Sequence, residues 1–243
     1  MRERAAGDII TIDVISWTVT GQELRDARKA RGWTQAELAV RLGVSQGYVC
    51  LLERNQRPVP DRLAQRLASL LNLSPSRRPI SSSTAPLEVD AATRALGTLG
   101  YPGFAHYRQR PTLNPAELLL RVLRTPELDA RVVEALVWVA LTYFDLDWEW
   151  LTREAKVNDL QNRLGFLVTL ARQLAERKGR AEAAVRLAAP EQALGHSRLQ
   201  REDAFRLSMT EAERRWLRQH RPPEAAQWNV LTNLSATDLT HGA

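Results

Sequence analysis

Three helix starts and two glycine stops crowd into 38 residues, TGQELRDARKARGWTQAELAVRLGVSQGYVCLLERNQR from Thr20 to Arg57, and they leave this stretch little freedom. Thr20 with Glu23, and Thr34 with Glu37, have the spacing at which each side chain caps the other's backbone N–H, so helices are predicted to begin near 21 and 35. Arg31-Gly32 supplies the stop between them, because glycine enters the left-handed conformation that closes a helix. Gly43 ends the second helix and Ser45-Gln46 opens a third, over about 46 to 54. Apolar residues from Leu24 through Leu38, Leu42, Val49, Leu52, Leu63, Leu67 and Leu70 recur at helical spacing, enough for one small core shared by four helices. A turn as short as the one at Gly43 makes its two helices cross steeply and leaves the third protruding.

Charge is concentrated in the same place. Residues 20–78 hold 11 Lys and Arg against 5 Asp and Glu, a net +6 that equals the formal charge of the whole chain. Basicity confined to one small unit is the footprint of a phosphate-binding face.

Residues 20–73 resemble the Xre/Cro-type helix-turn-helix family, the lambda-repressor-like fold of many phage and bacterial repressors. The resemblance implies that Gln35 bonds a DNA phosphate and that Ser45 and Gln46 meet the major groove. A glutamine at that point can bond an adenine edge through two hydrogen bonds. Thr34, Gln35, Ser45, Gln46, Tyr48, Arg54, Asn55 and Arg57 form the expected DNA-binding set, and Arg28 with Glu53 the expected structural ion pair. Asn55 stands where the family usually carries glycine, and it tolerates the left-handed geometry. Gly47 presents no side chain to a base, so Tyr48 is expected to reach a thymine methyl or a phosphate in its place. Arg41, Arg62, Arg77 and Arg78 are further phosphate candidates.

The expected organisation is all-α: an arm over 1–19, the helix-turn-helix domain over 20–73, a linker over 74–86, a helical bundle domain over 87–190, and a carboxy-terminal helix and tail over 191–243. The arm, DIITIDVISWTV at its centre, reads equally as an edge strand, an arm laid on DNA or a partner, or an unstructured segment, but not as a signal peptide, since Asp8 and Asp13 interrupt it. The linker SPSRRPISSSTAP is rich in Ser and Pro and has no apolar period. Asn114-Pro115 and Thr125-Pro126-Glu127 read as helix starts. Residues 127–144 are apolar on nearly every face, as a helix central to a bundle must be, and too short to cross a bilayer. A long helix over 148–178 carries Val157, Leu160, Leu164, Leu167, Ala171 and Leu174 in steps of three and four, a seam favoured as internal packing over self-association. Residues 170–188, turning at Gly179, weakly resemble a tetratricopeptide-type hairpin.

No catalytic constellation stands out. His106, His196, His220 and His241 are isolated, and Asp145, Asp147 and Glu149 read as carboxylates favoured at a helix start. The chain is therefore expected to be no enzyme and to need no cofactor or metal. Its single cysteine, Cys50, reads as a small apolar residue and suits a reducing cytoplasm. The leading expectation is a sequence-specific transcriptional regulator, a dimeric repressor binding a double-stranded operator with half-sites about 34 Å apart. The alternatives are an antitoxin-like autoregulator whose helical carboxy-terminal domain and Trp-rich tail bind and neutralise a partner toxin, and a regulator sensing a peptide or small effector.

Overall fold

The structure is a computed structural model that describes residue 17 and residues 19–81, 85–107 and 113–239. Most of the expected arm lies outside the described residues. The polypeptide is predominantly helical, with two apolar cores of unequal size.

The smaller core is built by α1 (Gly21–Ala30), α2 (Gln35–Leu42), α3 (Gln46–Glu53) and α4 (Asp61–Leu71). Both amino-terminal capping boxes form: Thr20 and Thr34 each accept a hydrogen bond from the backbone N–H three residues on, and Glu23 and Glu37 reach back. Leu24, Leu38, Leu42, Val49, Leu52 and Leu67 fill the centre, and Trp17, Val19 and Val44 pack on its edge.

The larger core joins α5 (Val89–Thr98), α6 (Pro115–Leu123), α7 (Ala130–Thr142), α8 (Trp148–Val157), α9 (Gln161–Arg177) and α10 (Ala181–Gly195). α7 is buried on all sides from Val132 to Leu141 except at Glu134, as its apolar composition requires. It packs on α9, and α9 turns at Gly179, φ 67°, into α10 to make the expected hairpin. Two short strands, β1 (Asp203–Ala204) and β2 (Val230–Leu231), pair in parallel, with α11 (Glu211–His220) and α12 (Pro223–Gln227) between them.

The structure changes several sequence expectations. α7 begins at Ala130, capped by Asp129, whose Oδ1 accepts the Val132 N–H at 2.8 Å. Glu127 instead lies extended in an antiparallel bridge with Arg206 and accepts hydrogen bonds from Ser208. The long helix over 148–178 is two helices, because Asp159 adopts φ 57° and Asn158 turns its amide back onto the Glu154 carbonyl. The apolar seam divides accordingly: Leu160, Leu164, Leu167, Ala171 and Leu174 are buried, whereas Val157 is 74% exposed. Residues 74–81, whose composition reads as an unpacked joint, lie against α6. Asn114 donates to the Ser76 and Arg78 carbonyls, Ile80 is buried, and Ser81 donates to Glu117. The tail is anchored in the larger core at several apolar residues, Phe205, Ala225, Trp228 and Val230 among them. Trp228 is buried in the larger core, where its indole N–H donates to Thr169 Oγ1 at 2.7 Å, so it is no free anchor for a partner protein.

Candidate nucleic-acid interface

The interface begins with how α2 hands the chain to α3. Gly43 takes φ 71°, its N–H and that of Val44 satisfy the last carbonyls of α2, and the chain reverses in two residues. Ser45 then caps α3 by accepting the Tyr48 N–H at 3.2 Å. The first residue of α3, Gln46, is exposed, and at Gly47 an added Cβ would meet nothing within 4 Å. The opening turn of α3 is thus a bare helix end with one projecting amide.

The frame behind it is polar and buried. Arg28 on α1 and Glu53 at the end of α3 form a two-pronged pair, Nε to Oε1 at 2.6 Å and Nη2 to Oε2 at 3.0 Å, and Arg28 also donates to the Trp33 carbonyl at 2.6 Å. Burial pushes the Glu53 carboxyl up, but hydrogen bonds from Arg28 and Gln35, together with the charges of Arg28 and Arg25, outweigh it and hold the group below the usual carboxylate range. The Arg28 guanidinium is raised by the same partner. The pair locks the angle between α1 and α3, and with it the pose of Gln46.

The remaining candidate residues divide between structural work and the open surface. Gln35, implied as a phosphate contact, turns its amide to Glu53 Oε2 at 2.9 Å. Thr34 is held in its capping box. Asn55, at φ 55°, accepts the Gly21 N–H at 2.6 Å and so caps α1 from the loop after α3. Tyr48 is half-buried and packs on the smaller core. Ser45, Gln46, Arg54 and Arg57 are exposed, and neither arginine pairs with a carboxylate among the described residues. Arg41 stacks over the Trp33 ring at 4.3 Å, an association the spacing did not suggest. Arg77, a phosphate candidate by charge, stands between Glu23 at 3.4 Å and Asp145 at 3.7 Å. Cys50 is half-buried.

Two helices joined by a tight glycine turn, the second presented outward on a basic unit, define a DNA-binding helix-turn-helix. Residues 24–77 match the family model described as Helix-turn-helix, and the amino-terminal segment is accordingly of the Xre/lambda-repressor type, a family of DNA-binding regulators. No curated protein and no solved structure matches the chain. Among the described residues no group of three His, Cys, Asp or Glu is placed to hold a metal, and no helix is long and apolar enough to cross a membrane. Asp147 caps α8 by accepting the Trp150 N–H, and Asp145 accepts from Ser76.

Proposed function

We propose that the protein is a sequence-specific transcriptional repressor that binds its operator as a dimer, with α3 in the major groove and Gln46 reading one base. The observation that carries this reading is the exposed Gln46 at the capped start of α3, beside a glycine that leaves the groove side open. Arg54 and Arg57, exposed and without acidic partners among the described residues, serve the phosphates that flank the read base. Ser45 and Thr34 lie at the two helix starts, where backbone N–H groups and the helix dipole favour phosphate oxygens. Gln35 braces the ion pair through one of its two amide hydrogens and keeps the other for a phosphate. A dimer follows from affinity, since a single unit of this size makes few base contacts and two units on symmetric half-sites multiply them.

Genome-wide footprinting of the bound protein supplies the operator, and gel-shift titration on that operator supplies the test. Gln46→Ala is expected to lower operator affinity by about 1 to 3 kcal/mol and to relax preference at one base position. Parent-like affinity and preference in that variant would remove Gln46 from base reading.

A further inference from the structure

α11 is a helix without a buried residue, held by polar bonds at its ends. Its capping box at Thr210 fixes one end, and Arg218 ties it to Glu202 outside the helix while also pairing with Glu211 within it. Arg214 donates to the Met209 and Leu207 carbonyls. Held this way, α11 stands off the start of α7 and the residues after β2, and the gap between them is a cavity of about 690 Å³. That volume lies within the range of about 300 to 1,000 Å³ typical of small-molecule sites. Its walls are mostly apolar, with Val133 on α7, Phe205 after β1, Trp216 and Leu217 on α11, and Leu231 and Leu234 at β2 and beyond.

The charged groups at the cavity are Asp129, Glu213 and Asp238 against Arg206 alone. Each carboxylate uses one oxygen for its own backbone cap: Asp129 Oδ1 for Val132, Glu213 Oε2 for Thr210, and Asp238 Oδ2 for Ser235. The other oxygen of each takes no hydrogen bond among the described residues. The bonds from Thr210 and from Ser235 hold the Glu213 and Asp238 carboxyls below their ordinary values, so both are ionised at neutral pH. Trp216, 50% exposed, stands at the same wall with one face of its ring stacked on His220 at 4.4 Å, which leaves only the opposite face to a cation.

We infer that this cavity is a binding site for a small lipophilic cation, with an apolar body between α7, α11 and β2 and a positive centre among Asp129, Glu213, Asp238 and the Trp216 ring. The site is separate from α3 and stands whether or not Gln46 reads a base. The test is calorimetric titration of the full-length protein with tetraphenylphosphonium and with tetraphenylborate, ions of nearly equal size and opposite charge. The cation is expected to bind saturably and at least about tenfold more tightly than the anion. Trp216→Ala, a change at an exposed position, is expected to weaken it by about tenfold. Glu213→Gln with Asp238→Asn keeps both caps and is expected to narrow the preference between the ions. Equal binding of the two ions, no saturation by about 1 mM cation, or cation binding indifferent to Trp216→Ala would each overturn the proposal. So would a self-association abolished by Trp216→Ala in a protein that takes up no cation, since a second copy would then be the occupant.

Discussion

Glu53 serves two donors at once, Arg28 and Gln35, and its position at the end of α3 makes it the residue on which the interface most depends. Removing it by Glu53→Ala leaves the Arg28 charge buried without its partner, and chemical denaturation is expected to show a loss of about 3 to 5 kcal/mol. The same pair sets a pH dependence. Because the folded-state carboxyl titrates below its unfolded value, its stabilisation is complete at neutral pH and is lost as pH falls through the folded value. Denaturation midpoints of parent and Glu53→Gln should therefore converge in acid; a constant gap down to strongly acidic pH would remove the ion pair as the cause. Arg57→Ala, by contrast, is expected to leave stability unchanged, to weaken binding to all DNA sequences alike, and to flatten the salt dependence of affinity by about one in slope. Gly21 shows why a glycine opens α1: a Cβ there would meet the Leu52 and Glu53 carbonyl oxygens at 2.5 Å, so the start of α1 can abut the end of α3 only without a side chain.

The break between α8 and α9 has a structural consequence that an uninterrupted helix would forfeit. It places Gln161, Asn162 and Arg163 in the first turn of α9, facing the chain that returns after α10. Asn162 donates to the Leu199 carbonyl at 3.0 Å and accepts the Leu199 N–H at 2.8 Å, while Arg163 pairs with Asp203 at 2.7 Å and donates to the Leu123 carbonyl. Asn162→Ala would strand the Leu199 N–H in a partly buried site, while the Leu199 carbonyl keeps the Asn229 amide at 2.9 Å, and urea unfolding is expected to show a loss of about 1 to 3 kcal/mol. One turn further along α9, Gly165 lies against the Trp228 ring, where an added Cβ would overlap the indole. These contacts fasten the chain around Leu199, Asp203 and Trp228 to the larger core, while α11 between them stays at the surface.

The two cores meet through few contacts. Arg77 spans Glu23 on α1 and Asp145 before α8, and its carbonyl accepts the Trp17 indole N–H at 2.8 Å. Both ion pairs are about a third exposed, so each contributes at most about 1 kcal/mol. Scanning calorimetry is accordingly expected to resolve two transitions, with the smaller core melting first because it buries less surface per residue. A single cooperative transition insensitive to Arg77→Ala would show that the cores are coupled by more than these contacts.

Local physics made the helix-turn-helix legible in the sequence alone: capping boxes, the Gly43 turn, the apolar period and the charge balance all act over a few residues, and the Arg28–Glu53 pair followed from the family resemblance. The central, largely apolar α7 was readable for the same reason. What the tertiary structure decided are the matters set by distant partners. Asn158 and Asp159 look tolerable inside a helix until the burial gained by turning α9 becomes visible. Trp228 and Trp216 are the same residue type in one tail, yet one fills a space left by Gly165 and the other stands at a cavity wall. Gln35 and Asn55 are polar residues of the expected interface that three-dimensional packing assigns to bracing it. Burial and hydrogen bonding across tens of residues carry no periodicity along the chain, and only the folded arrangement records them.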